Sequence, residues 1–185
     1  MIESDLLKRL RKGEEEAFRE LVGDVYHEVV KIATGFLHNR SDAEDIAQDV
    51  MVEVYRSIRK FRGDASLTTW IYRIAVNKSL NAIRKNKRQN LHADVTEISD
   101  KAIERNPNQE TQTENNERAR VLHKALDALP KNQRMAFVLA KYEDMSYQQI
   151  AAVMETSLSS VESLMHRAKK NLQKKLLNYY KKNVY

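Results

Sequence analysis

Residues 41–84 read SDAEDIAQDVMVEVYRSIRKFRGDASLTTWIYRIAVNKSLNAIR, and this stretch decides the fold. Ala43, Ile46, Ala47, Val50 and Val54 recur at the three-to-four spacing of an amphipathic helix. Asp42, Asp45, Gln48, Asp49 and Glu53 fill its polar side. Ser41 followed by Glu44 fits a capping box, so Ser41 is the expected N-cap. Gly63-Asp64-Ala65-Ser66 then breaks the pattern. A second apolar face starts with Leu67, Trp70, Ile71 and Ile74. Arg73, Asn77, Asn81 and Arg84 form a polar stripe on the opposite side of that helix.

Upstream, helical spacing covers residues 6–11 and 14–37. Phe18, Leu21, Val22, Val25, Val29, Ile32, Ala33 and Phe36 make one stripe. His38-Asn39-Arg40 reads as a turn. Downstream, periodicity fails after Arg88. Residues 89–117 are polar and acidic, with Asp94, Glu97, Asp100, Glu104, Glu110, Glu114 and Glu117 against Lys101 and Arg105. They read as a linker, with a short helix expected near residues 96–103. Helical spacing resumes at Ala119 with Val121, Leu122, Ala125, Leu126 and Leu129, and Pro130 opens the following helix at its first turn.

The last part, MSYQQIAAVMETSLSSVESLMHRAK, has the pattern of a helix-turn-helix. Ser146 caps a short helix and Gln149 completes its capping box. Glu155-Thr156-Ser157 is the turn. Ser157 or Ser159 caps the next helix, which spans residues 158–170 and is held by Leu158, Val161, Leu164 and Met165. Ser159, Ser160, Glu162, Ser163, His166, Arg167, Lys169 and Lys170 point outward. Hydroxyls near a helix N-terminus bond phosphates or base edges, and Arg or Lys neutralises phosphate. Glu162 either accepts from cytosine N4 or pairs with Ser159 as a cap. His166 either stacks on a base, bonds phosphate or is solvated.

Composition sets the outer bounds. The 185 residues hold 4 Gly, 2 Pro and no Cys, with a net charge of +6. Scarce Gly and Pro favour helices, and disulfides and thiolate metal sites are excluded. Residues 56–88 and 158–185 are strongly basic, so two basic modules flank an acidic tether. No apolar run approaches a membrane span, and MIESDLLKRLRKG is not a signal peptide. The expected class is all-α, with two small domains at residues 1–90 and 118–185 joined by a flexible linker at 91–117.

DAEDIAQDV, FRGDASLTTWIYRIAVN and the helix-turn-helix string each resemble a different part of the extracytoplasmic-function (ECF) sigma factors of the sigma-70 superfamily. They occur in the family's order and at its spacing. The resemblance implies a promoter-recognition subunit that directs core RNA polymerase, without catalysis, cofactor, small-molecule substrate or membrane insertion of its own. It implies docking of Asp42, Asp45, Gln48, Asp49 and Glu53 on the clamp coiled coil, with the flap as a second core contact. It implies −10 recognition and melting by Arg62, Gly63, Asp64, Ser66, Thr68, Arg73, Asn77, Asn81, Arg84 and Lys85, with Asn77 lining a flipped-base pocket. It implies −35 recognition by Ser159, Ser160, Glu162, Ser163, His166, Arg167 and Lys170. Trp70 reads as a core residue more than as a stacking wedge. The linker carboxylates are expected to thread the polymerase channel, and in the free chain to lie against the basic faces. An anti-sigma partner and a cytoplasmic location are expected on the same ground.

Two rivals remain at this level. A free-standing helix-turn-helix regulator, dimeric on a palindrome, leaves DAEDIAQDV and the Gly63 loop unexplained. A metal-dependent nuclease built on Asp42, Asp45 and Asp49 lacks loop ligands and a second acidic cluster.

Overall fold

The computed structural model describes the backbone of residues 2–93 and 110–183, and the side chains of 5–86 and 117–181. Helices α1 (Ile2–Lys12), α2 (Glu15–Leu37), α3 (Arg40–Ser57) and α4 (Leu67–Ala93) form the N-terminal part. Helices α5 (Glu110–Asp127), α6 (Lys131–Tyr142), α7 (Tyr147–Met154) and α8 (Leu158–Asn183) form the C-terminal part. No strand occurs among the described residues.

Local chemistry explains most boundaries, and it corrects several expected ones. The N-cap of α3 is Asn39, not Ser41: its side-chain oxygen accepts from the Ser41 N–H at 2.9 Å and the Asp42 N–H at 3.3 Å. Glu44 pairs with Arg40 one turn back instead of closing a capping box. Pro130 precedes α6 at its N-cap position, with ψ 144°, and so lies just outside the helix. The Ser146/Gln149 capping box at α7 is present in both directions. Ser157 caps α8 by accepting from the Ser160 N–H. That leaves Glu162 beyond the first turn, so its cap with Ser159 does not form. Leu158 is 39% exposed and does not help to hold α8, whereas Val161 and Met165 are buried.

α4 runs past Arg88 to Ala93, and α5 begins at Glu110, nine residues before the expected restart at Ala119. Glu117, counted with the tether, stands on α5 and accepts from the Tyr179 hydroxyl at 2.9 Å. Residues 94–109, with Asp94, Glu97, Asp100, Glu104 and the helix expected near 96–103, lie outside the described residues. α8 also continues thirteen residues beyond the expected end at Lys170.

One hydrophobic core runs through both parts of the chain. It joins Leu21, Val29, Ile32, Phe36, Val50, Val54, Ile71 and Val76 to Val138, Leu139, Ile150 and Val161. A smaller cluster of Ala125, Leu126, Leu129, Ala168 and Leu172 holds α5 on α8. Between the two halves α6 lies on α2 and α7 lies on α4.

Polar groups stud this junction. Arg134, whose side chain is 6% exposed, pairs with Asp127 at 2.6 Å and donates to the Phe36 carbonyl. His38, in the left-handed conformation at the end of α2, lies 3.2 Å from Asp127 through Nε2. Its ring stacks on His123 at 3.9 Å. Burial and the neighbouring His38 hold the His123 imidazole below its ordinary pKa. Burial alone would push the Asp127 carboxyl up, but the bond to His38 and the charge of Arg134 hold it low.

Glu143 follows α6. Burial pushes its carboxyl up to about 7, against the pull of Lys31 and aided by Glu28 and Asp144. Burial, with Glu28 and Glu143 beside it, also pushes the Tyr72 hydroxyl up to about 12. An acid whose folded pKa is raised binds its proton more tightly folded than unfolded, so stability falls as pH rises from the ordinary carboxylate range to about 7. Above that range the ionised Glu143 disfavours the fold. Glu143→Gln is therefore expected to stabilise the chain by roughly 1 kcal/mol at pH 8, after allowance for solvent screening, and to do almost nothing near pH 4. Urea titrations at the two pH values check this; equal effects at both would remove Glu143 ionisation as the cause.

Candidate nucleic-acid and polymerase interfaces

Three polar faces stand on three different helices. On α3, Asp42, Asp45, Gln48, Asp49 and Glu53 are all exposed, while Ala43, Ala47, Val50 and Val54 are buried beneath them. Glu53 has Lys78 of α4 at 4.0 Å. The same face carries two residues that the sequence reading missed. Val52 is 46% exposed and Tyr55 is 59% exposed, beside the carboxylates at helical spacing. Tyr55 rests edge-on against Phe18 at 5.1 Å. Apolar residues interrupting the polar side of an amphipathic helix were the available signal. Exposed apolar and aromatic area beside charged residues is the usual make-up of a protein-binding patch. No cluster of three or more potential metal ligands occurs among the described residues.

The second face is the Gly63 loop with the start of α4. Arg11 of α1 donates to the Phe61 carbonyl at 2.6 Å and so anchors the loop's entry. Gly63 takes φ 81°, a conformation that costs glycine little and other residues more. Ser66 accepts from the Thr69 N–H at 3.1 Å, so its hydroxyl is already engaged in starting α4. Arg62, Asp64 and Thr68 are exposed. Trp70 packs against the core with its ring 5.2 Å from that of Phe61. Trp70 and Phe61 also line, with Lys60, Arg62, Asp64, Ala65 and Arg73, a cavity of about 180 Å³.

Arg73, Asn77, Asn81, Arg84 and Lys85 follow along α4, and all but Arg73 are exposed. Asn77 is not part of the loop cavity. Four residues along a helix shift a side chain by about one 5.4 Å turn. This brings Asn77 to a cleft of about 370 Å³ between α4 and the C-terminal helices, lined also by Arg73, Lys131, Asn132, Glu155 and Thr156. Arg73 is taken up across that cleft by the Ala152 carbonyl and by Glu155.

The third face belongs to α8. Ser159, Glu162, Ser163, His166, Arg167 and Lys170 are exposed, and Ser160 is half-buried. Arg167 Nε donates to the Ser163 carbonyl at 3.2 Å, which lays the guanidinium along the helix. The buried side of α8, with Val161, Met165 and Ala168, fixes the orientation of these residues.

The sigma-70 region 2 family model matches residues 21–89, and the sigma-70 region 4 model matches residues 119–172. The RNA polymerase sigma-H factor of Pseudomonas aeruginosa is 31% identical over 180 residues, covering 94% of this chain and 93% of that protein. The ECF RNA polymerase sigma-E factor of Escherichia coli K12 is 30% identical over 177 residues, covering 92% of each.

The chain belongs to the ECF sigma factors.

As a sigma factor it directs RNA polymerase to promoters, and the free-standing regulator reading falls away. Solved structures agree on the fold. CnrH, in complex with the cytosolic domain of CnrY, superposes with a TM-score of 0.68 at 24% identity, over 97% of this chain and 99% of that one. The sigma factor RpoE from Bartonella quintana, in complex with NepR, gives 0.59 at 24% identity, over 86% and 96%. In this sigma factor the region 2 match takes in the α3 face, the Gly63 loop and the α4 stripe. The region 4 match takes in the capped α7–α8 pair. Among the described residues no helix is long and apolar enough to cross a membrane.

Proposed function

We propose that this sigma factor binds core polymerase through the acidic face of α3, with Val52 and Tyr55 at its C-terminal end. The Gly63 loop and the α4 stripe hold the −10 strand open, and α8 reads the −35 element in the duplex major groove. The observation that carries this division is the separation of chemistries. One helix offers carboxylates and apolar contacts suited to protein, while two others offer cations, amides and hydroxyls suited to nucleic acid. Catalysis stays with core polymerase, and the sigma factor works in the cytoplasm where that enzyme works. An anti-sigma factor is the expected controller, because a sigma factor of this fold, RpoE from Bartonella quintana, is solved with the anti-sigma factor NepR.

Within α8 the roles divide further. Arg167 and Lys170 are assigned to phosphate, and Ser160 and Ser163 stand nearer the base edges. Arg167→Ala should weaken −35 binding by the holoenzyme across sequences and reduce the slope of log affinity against log salt by about one unit at most. Substitution of Ser163 should instead change which −35 sequences are preferred. Anisotropy titrations of holoenzyme on a panel of −35 variants at several salt concentrations check both. If Arg167→Ala changes sequence preference and leaves the salt slope alone, the two roles are exchanged.

A further inference from the structure

Helix α8 carries a single carboxylate. Between Leu158 and Asn183 only Glu162 is acidic, against Arg167 and a run of lysines from Lys169 onward. Glu162 is exposed, and no ion pair or hydrogen bond among the described residues takes up its carboxylate. The usual reasons for an acid near a helix start do not apply to it. Ser157 already caps α8 through the Ser160 N–H. Glu162 stands in the second turn of a helix that begins at Leu158, and the helix dipole favours an anion only within the first.

Position explains more. Ser159, Glu162, Ser163 and His166 follow the i, i+3, i+4, i+7 spacing of one helix face, and all four are exposed. Val161, Met165 and Ala168 are buried on the other side. In a helix-turn-helix the N-terminal residues of the second helix meet base edges in the major groove. This stripe therefore offers bases two hydroxyls, an imidazole and one carboxylate, while the cations that suit phosphate lie beside it and further along the helix.

A carboxylate so placed is repelled by the phosphates on either side of the groove. A base-edge donor offsets that repulsion. The major groove presents two kinds of amine, cytosine N4 and adenine N6. Adenine sets its N7 acceptor beside the amine, which opposes the second carboxylate oxygen, whereas cytosine has no acceptor there. Guanine offers O6 and N7, and thymine offers O4 and a methyl group, so both oppose the charge. We propose that Glu162 sets the −35 specificity of this chain by accepting a hydrogen bond from the N4 amine of one cytosine in the element, and by rejecting guanine and thymine at that position. The proposal deepens, and rests on, the reading that α8 enters the −35 groove.

The test uses holoenzyme formed from core polymerase and the full chain. It is bound to a library in which the −35 block of a promoter mapped by run-off transcription is randomised, and the bound fraction is sequenced. Wild type should enrich cytosine at one position by roughly tenfold over guanine and thymine. Glu162→Gln should move that position towards adenine, which glutamine holds through N6 and N7. Glu162→Ala should lose the preference there and keep it at the other positions.

Anisotropy titrations add the sign and the atom. Glu162→Ala should weaken holoenzyme on the cytosine-bearing duplex, yet bind promoter-free duplex as tightly as wild type or more tightly, because a charge facing phosphates has gone. Misfolding of α8 would weaken both. N4-methylcytosine keeps the base pair and replaces the groove-facing N4–H with a methyl group. Wild type should lose the same factor of roughly ten on it, and Glu162→Ala should lose none. The same preferred sequence from all three proteins, or equal binding of wild type to cytosine and N4-methylcytosine, overturns the proposal. If wild-type holoenzyme enriches no sequence in this block, the −35 reading of α8 fails and the role of Glu162 fails with it.

Discussion

Reversing Asp45 and Asp49 together to lysine is expected to lower affinity for core polymerase by about a hundredfold and to leave the fold standing. Both side chains are exposed on α3, and the residues that hold the helix, Ala43, Ala47, Val50 and Val54, lie on its other side. Surface substitutions of this kind usually change stability by less than about 0.5 kcal/mol. At an interface the same change replaces attraction with like-charge opposition, and roughly 3 kcal/mol for two reversals corresponds to that hundredfold. A competition titration against wild type, repeated at two salt concentrations, reads the effect, which should shrink as salt screens it. Val52→Ala and Tyr55→Ala should also weaken docking, but with little salt dependence. Unchanged affinity with intact helicity would remove α3 from the interface.

Phe36→Ala should be the most destabilising single substitution at the junction, by about 3–5 kcal/mol. Phe36 is 1% exposed and lies in the core shared by both halves. The Arg134 guanidinium sits 5.9 Å from the centre of its ring and donates to its carbonyl. Truncation therefore leaves a cavity and loosens a buried cation at the same point. For a chain of this size the loss corresponds to a drop in Tm of roughly 10 °C or more. Thermal unfolding followed by circular dichroism measures it. A drop of only a degree or two would mean that the two halves are not held together through this core.

The helices were legible because their signals are local. The α7 capping box needs only Ser146 and Gln149, and the α2 stripe needs only its own periodicity. At α3 two capping side chains compete within three residues. Asn39 wins because it stands before a helix that begins at Arg40, a distinction the Ser41/Glu44 spacing does not contain. Leu158 was misplaced for a related reason: an apolar residue at the first helical position has no turn beneath it to direct it inward. The three candidate faces could be named from residue types, but their surroundings could not. Asn77 shares a stripe with Arg73, yet only packing reveals that this stripe turns towards α7. Arg134 reads in sequence as one more surface cation of a basic chain. Its burial depends on the carbonyl of Phe36, ninety-eight residues away, and no local pattern encodes a contact of that separation.

A chain that places core RNA polymerase on promoters by reading two separated elements should change where that polymerase starts. The most direct test is run-off transcription from fragments of the source genome by core polymerase, with and without the chain, followed by mapping of the start sites. Starts should appear only when the chain is added, each preceded by common sequences near −10 and −35. These starts should weaken when the spacing between the two elements is changed. Starts indifferent to the chain would contradict this, as would a chain that occupies a palindromic site on its own and leaves polymerase initiation unchanged.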